Sequence, residues 1–119
     1  KESVKKIVFS EKEIFGNNPQ IYFNDNIDDP RDLKNFSDEI KQKFLDGIIV
    51  LVSKKNDKIS LVVSITNSYQ EKYNAIDLLK KFVEFLGGKG GGGRSDLAQG
   101  GAPFSKKVNE LKSFILSIL

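Results

Sequence analysis

The chain has 119 residues, of which 39% are hydrophobic and 29% charged, and it carries a net charge of +3. This length and balance predict one globular domain that buries its own core. The absence of histidine and cysteine excludes the usual zinc sites, disulfides and histidine-based catalytic triads. An enzyme of this composition would have to use carboxylates, lysines or hydroxyls, and no metal ligands and no catalytic residues are predicted.

No apolar run approaches the length of a membrane helix, about 18 residues, and no signal peptide is visible at the N-terminal end. We therefore expect no membrane contact. No methionine occurs, even at position 1. We expect residues 1–119 to be a single domain cut from a longer protein.

The first elements in chain order are two strands at residues 4–10 and 20–24, joined by turn residues 16–19. A helix follows. Asp29 is a favourable N-cap and Pro30 suits the first helical position. The apolar stripe of this helix consists of Leu33, Phe36, Ile40 and Phe44.

Two stronger strands are predicted at residues 47–53 (GIIVLVS) and 59–66 (ISLVVSIT), joined by a polar hairpin loop at residues 54–58. Both are rich in β-branched residues and almost continuously apolar. This pattern is typical of central strands that are covered on at least one face.

A long helix is predicted at residues 70–86, with an apolar face made of Tyr73, Ile76, Leu79, Phe82, Val83 and Leu86. Ser105 can cap a last amphipathic helix, whose apolar residues are Val108, Leu111, Phe114, Ile115 and Ile118. A short strand is expected within residues 96–99. The predicted fold is α/β (α+β), with a small mixed sheet of about four to five strands, three helices and a glycine-rich loop before the last helix.

The glycine segment, residues 87–101, holds eight of the ten glycines in the chain. A flexible linker would account for this composition, but so would close approach to a ligand, because amides without Cβ atoms can surround an anion. Lys89 and Arg94 add charge suited to phosphate. The predicted RNA-binding residues are Gly88, Lys89, Gly90, Gly91, Gly92, Gly93, Arg94, Asp96 and Gln99, with a structural role favoured for Asp96 and ribose or base contacts open for Gln99.

Positive charge is concentrated around this segment. Residues 79–119 carry +4, whereas residues 1–78 carry −1. Such a distribution indicates a surface that binds phosphate groups. Secondary phosphate contacts are Lys80, Lys81, Lys106 and Lys107, for which a solvated helix face is the alternative. A nucleotide-hydrolysing P-loop is not expected, because no Gly-Lys-Ser or Gly-Lys-Thr sequence occurs.

The run GGKGGGGRSDLAQGG resembles the signature loop of the alanyl-tRNA synthetase C-terminal domain, which typically reads GGKGGGRPDMAQGG. The resemblance extends upstream through DLKNFSDEIKQKF and both strong strands, and covers about residues 20–119. The domain is also similar to the DHH-associated domain found beside DHH phosphoesterases. Ser95 stands where proline is usual, and one glycine is extra. Both departures predict a looser loop.

The resemblance implies a non-catalytic domain that binds tRNA(Ala) and contacts other domains of a cytoplasmic parent enzyme. The parent ligates alanine to tRNA with ATP and Mg²⁺, and edits mischarged tRNA. The need of that enzyme for Zn²⁺, and its pairing as a homodimer, stay open. No cofactor is expected in this chain. Whether the chain itself counts as an enzyme is also open, as are two alternative functions: an oligomerisation module of the same enzyme, and a nucleic-acid-binding domain of a DHH-type phosphoesterase.

Overall fold

The computed structural model describes residues 14–16, 20–43 and 46–119. The strand predicted at residues 4–10, most of the turn at 16–19 and Phe44 lie outside the described residues. The strands are β1 (Ile14–Phe15), β2 (Gln20–Ile27), β3 (Gly47–Lys55), β4 (Lys58–Ile65), β5 (Gly90–Gly93) and β6 (Leu97–Pro103). The helices are α1 (Leu33–Lys43), α2 (Ala75–Phe85) and α3 (Leu111–Ile118), with short 3-10 helices at Pro30–Asp32, Asn67–Tyr69 and Lys106–Glu110.

The strands form one mixed sheet in the order β1-β2-β3-β4-β6-β5. β2 and β3 are parallel and connected through α1, whereas the other neighbours are antiparallel. The mixed sheet and three helices confirm the predicted fold class. β3 and β4 are joined by Asn56 and Asp57, at φ angles of 56° and 62°. This two-residue turn replaces the predicted five-residue loop, because the primed turn matches the twist of both strands.

The helices cover the sheet on its two faces. On the face that we call the α2 side, α2 and α3 bury one cluster that includes Val50, Leu61, Val63 and Ala98. On the opposite face, the α1 side, α1 buries a second cluster that includes Leu51, Val62 and Leu97. β3 and β4 contribute to both clusters, which confirms that they are central strands.

The helix starts follow the capping residues. The Asp29 side chain accepts from the Arg31 amide and caps the 3-10 helix Pro30–Asp32, which leads directly into α1. The Asn74 side chain accepts from the amide of Ile76 at 2.9 Å. α2 therefore begins at Ala75, five residues later than the start predicted at residue 70.

The last helical region is divided. The Ser105 hydroxyl accepts from the Lys107 amide, as expected of a cap, but it caps the 3-10 helix Lys106–Glu110, and α3 begins only at Leu111. Val108, Leu111 and Ile115 are buried. Ile118 is 36% exposed, so its predicted burial is wrong. None of the helices in the described ranges is long and apolar enough to cross a membrane.

Candidate nucleic-acid interface

The glycine segment is a hairpin, where the sequence predicted a loop that held only a short strand. β5 pairs antiparallel with β6, from Gly90 opposite Gly101 to Gly93 opposite Ala98. β6 in turn pairs with β4. We call β5, the turn at residues 94–96 and β6 the glycine hairpin. Strand formation needs only backbone hydrogen bonds, so glycines can form a strand where a packed partner such as β6 is available.

Two glycines of β5 are required by the pairing itself. A Cβ atom on Gly91 would collide with the Gln99 carbonyl oxygen on β6, and one on Gly93 would collide with the Leu97 carbonyl oxygen. Gly93 also has a φ of 151°, which side chains rarely allow. The fold therefore explains these two glycines without any ligand.

Gly88 is required by packing between the helix and the sheet. A Cβ atom there would lie 2.6 Å from Val83 Cγ1 and 2.7 Å from Ala102 Cβ. Gly88 is thus the point where the chain leaves α2 and passes tightly onto the sheet. This position gives Gly88 a structural role, while its predicted contact with RNA stays a prediction.

Gly92 is different, because a Cβ atom added there would meet nothing within 4 Å. Its backbone is also free of the positive φ values that favour glycine. Neither packing nor backbone geometry therefore requires a glycine at this position. Open space above Gly92 is what close approach of a ligand to the strand would need.

The turn of the hairpin is anchored to the rest of the domain. The amide of Ile65 donates to the Asp96 carbonyl at 2.9 Å, and the amide of Ala75 donates to the Ser95 carbonyl at 2.7 Å. Within the turn, the Arg94 amide donates to the Leu97 carbonyl at 2.8 Å. The turn is thus tied to both β4 and α2, and the looser loop expected from the extra glycine and Ser95 stays a prediction.

Lys89 and Arg94 stand immediately before and after β5, and both are exposed. The Arg94 Nε lies 3.2 Å from Asp96 Oδ1, and the arginine side chain is 70% exposed. Asp96 therefore orients Arg94, which agrees with the structural role favoured for it. The four glycines of β5 separate two cations along one sheet edge.

The amides of β5 do not converge into the anion-binding nest predicted for this segment. Within the part of the chain that the structure describes, β5 is the last strand of the sheet, and an edge strand presents N–H and C=O groups in alternation along a line. Donors for an anion are present, but they are spaced along the edge. A chain-like anion with repeated charges suits this arrangement better than a single phosphate ion.

The secondary lysines differ in their surroundings. Lys80 and Lys81 lie on the exposed face of α2, and Lys106 is exposed in the 3-10 helix. Lys107 Nζ lies 5.8 Å from the centre of the Phe85 ring. Phe85 stacks on Phe114 with ring centres 4.3 Å apart, so Lys107 is part of the packing between α2 and α3.

Gln99 belongs to a site that the sequence did not reveal. Its exposed side chain helps to line a shallow groove of about 340 Å³ on the α1 side of the sheet. We call it the α1-side groove, and its lining residues are Pro30, Arg31, Leu33, Ser60, Leu61, Gln99 and Gly100. Sequence signals for it were absent, because it forms only where strand pairing brings residues 60 and 99 together.

One wall of the α1-side groove carries an ion pair. The Arg31 Nη2 donates to Asp29 Oδ2 at 2.8 Å, and its Nε donates to Asp29 Oδ1 at 3.1 Å. This contact, followed by the charge of Lys55, holds the pKa of Asp29 well below its usual range. The same contact raises the pKa of Arg31. The Arg31 guanidinium is thus held in a fixed orientation at the groove.

The fold is that of a known domain class. The family model of the DHHA1 domain matches residues 17–119, and the chain belongs to this family. Within it, the chain is similar to the C-terminal domain of alanyl-tRNA synthetases, as the signature run indicated. The crystal structure of the C-Ala domain of Aquifex aeolicus alanyl-tRNA synthetase has a TM-score of 0.78 and 29% identity, over 89% of this chain and 96% of that one.

Curated relatives give the same result. An alanine–tRNA ligase of Paramagnetospirillum magneticum is 51% identical over 73 residues, which are 61% of this chain and 8% of the relative. An alanine–tRNA ligase of Ruthia magnifica is 42% identical over 89 residues, or 71% of this chain and 10% of the relative. The chain thus spans about one tenth of the length of these curated relatives.

Proposed function

We propose that this chain is a tRNA-binding accessory domain of an alanyl-tRNA synthetase and that it holds the backbone of tRNA(Ala) at the glycine hairpin. The observation that carries the proposal is the exposed glycine edge of β5 with a cation at each end. The similarity to alanine–tRNA ligases supplies the ligand class.

The two cations would act differently on the phosphates. Lys89 provides a mobile point charge. Arg94 donates from its Nε to Asp96, so the edge formed by its two terminal nitrogens would bind one phosphate bidentately. Outward amides of β5 would donate to phosphate oxygens between the two cations. Lys80, Lys81 and Lys106 would add weaker, longer-range attraction.

In this proposal the domain performs no chemistry. Ligation of alanine with ATP and Mg²⁺, editing, and any use of Zn²⁺ belong to other domains of the cytoplasmic parent enzyme, which are also partners of this domain. By holding one tRNA, the domain would keep that substrate near both reaction sites. Tethering of this kind raises the local concentration of tRNA without a new catalytic group.

The test is binding of a tRNA(Ala) transcript to the 119-residue chain across a salt series. Exchange of both Lys89 and Arg94 for alanine should reduce the slope of log affinity against log salt by about 2, since two phosphate contacts are lost. The matched control removes Lys34 and Lys43, two exposed lysines of α1. An equal change of slope in both double variants would refute the assignment to the hairpin.

Self-association is the second candidate function, and the edge position of β5 among the described strands favours it. Within the described ranges, β1 at the other edge has two residues, whereas β5 offers four residues without side chains that would block a second strand. Antiparallel pairing of two β5 strands would give a symmetric dimer with a continuous sheet. A dimer in light scattering, together with the absence of tRNA binding in a separate measurement, would favour this function over the first.

A further inference from the structure

The two sides of the glycine hairpin are not equivalent. On the α2 side, α2 contacts both strands of the hairpin, and Ala98 is buried beneath it. On the α1 side, the space above Gly92 is open, and Gln99, directly opposite Gly92, is exposed. Among the described residues, a ligand that follows β5 therefore has open access to the surface of the sheet from the α1 side.

The α1-side groove begins where this open surface ends. Gln99 is shared by the hairpin and the groove. Ser60 lies opposite Gly101 on the next strand, and its half-buried side chain points to the same side as Gln99. Diagonal neighbours of this kind are about 7 to 8 Å apart, so a small group between them can reach both side chains.

Both apolar and polar groups line the groove, and the charge of its Arg31 is offset by the ion pair with Asp29. Arg31 and Lys55 stand near the carboxylates of Asp29 and Asp32. This balance gives little net attraction for a phosphate group, unlike Lys89 and Arg94 at the ends of β5. The Gln99 amide and the Ser60 hydroxyl instead offer both donors and acceptors.

The size and chemistry of the groove together define its ligand. A volume of about 340 Å³ is at the small end of ligand sites, which range from about 300 to 1,000 Å³. It suits one sugar or nucleoside. The 2′-hydroxyl of ribose both donates and accepts hydrogen bonds, as do Gln99 and Ser60, and it is the group that distinguishes RNA from DNA.

We infer that the α1-side groove receives a ribose of the RNA strand whose phosphates bind the glycine hairpin, with Gln99 and Ser60 bonded to its 2′-hydroxyl. The inference rests on the proposed function and assigns separate effects on binding to two sets of residues. Lys89 and Arg94 determine how strongly binding depends on salt, whereas Gln99 and Ser60 determine the preference for RNA over DNA.

The test compares binding of a tRNA(Ala) transcript with binding of a DNA oligonucleotide of the same sequence. We expect the unchanged chain to prefer RNA. Gln99→Ala and Ser60→Ala should each lower the ratio of RNA to DNA affinity by about two- to tenfold, the effect of one neutral hydrogen bond, with no change in salt slope. Gln42→Ala removes an exposed amide side chain of α1 and should leave the ratio of RNA to DNA affinity unchanged.

A second variant tests the position of the strand. Gly92→Val should leave the fold intact, since a Cβ atom meets no neighbour there, yet lower affinity for RNA and DNA alike by about tenfold, because it blocks close approach. Full affinity in Gly92→Val, or equal loss for RNA and DNA in Gln99→Ala, would overturn the inference while salt-dependent binding through Lys89 and Arg94 still stood. An unchanged chain that binds no RNA would refute the inference and the proposed function together.

Discussion

The amide nitrogen of Ala75 donates to the carbonyl oxygen of Ser95 over 2.7 Å. Ala75 is the first residue of α2, and the first amides of a helix have no partner within the helix. Here one of them is satisfied by the turn of the glycine hairpin. The start of α2 and the turn therefore stabilise each other, which explains how a segment so rich in glycine keeps a defined conformation.

The glycines of β5 should differ sharply in their tolerance of a methyl group. Gly91→Ala should lower the free energy of unfolding by about 1 to 3 kcal/mol, because its Cβ atom collides with the β6 backbone. Gly92→Ala should be neutral or stabilise by up to about 1 kcal/mol, since it only restricts the unfolded chain. Urea denaturation of both variants checks the contrast. Equal destabilisation would contradict the pairing described for β5.

The buried hydroxyl of Thr66 should matter for stability. The Gly47 amide donates to Thr66 Oγ1 at 2.8 Å, and the hydroxyl donates to Asp46 Oδ1. Thr66→Val keeps the shape but leaves the amide without its acceptor, which should cost about 1 to 3 kcal/mol. Thr66→Ser keeps the hydroxyl and should cost less. Chemical denaturation compares the two, and the reverse order would show that the methyl group matters more.

Lys106 and Lys107 are neighbours with different expected effects. Lys107→Ala removes the cation above Phe85 and should lower stability by about 0.5 to 1 kcal/mol. Lys106→Ala changes an exposed side chain and should stay within about 0.5 kcal/mol of the unchanged chain. Thermal unfolding at constant ionic strength measures both. A larger loss of stability in Lys106→Ala than in Lys107→Ala would contradict a stabilising contact between Lys107 and the Phe85 ring.

Asp29 should titrate at unusually low pH. Its pKa is depressed by Arg31 and then by Lys55, so its contribution to stability is complete above the unfolded value of about 3.9 and is lost as the pH falls through the lower folded pKa. Carboxyl-detected NMR should show a midpoint below that of a free aspartate. In Arg31→Gln the midpoint should rise toward the ordinary value. An unchanged midpoint would mean that the ion pair does not form in solution.

Local chemistry allowed much of the fold to be predicted. The apolar runs around residues 50 and 62 identified β3 and β4, and Asp29 and Ser105 marked caps that the structure contains. The start of α2 was predicted too early, because the apolar spacing from Tyr73 onward does not show which residue caps the helix, and the cap is Asn74. Residues 70–72 form a turn instead.

The candidate site was only partly predictable. Lys89 and Arg94 were identified from charge and from the glycine-rich sequence around them. That the glycines form strands was not predicted, because glycine weakens strands, and the hairpin is held to the sheet by the pairing of β6 with β4, which is distant in the sequence. Ser60 and Arg31 were missed for the same reason: they meet Gln99 only through the order of the sheet.

The side-chain-free edge of β5 has an evolutionary consequence. The peptide groups of this edge keep the same hydrogen-bonding chemistry when neighbouring residues are substituted. A substitution at Gly91 or Gly93 adds atoms that the pairing with β6 does not accommodate. Selection therefore has little means to retune this edge for a different ligand. A change of specificity at this edge would therefore have to arise at Gly92, where a Cβ atom meets no neighbour, or at bordering positions such as Lys89, Arg94 and Gln99.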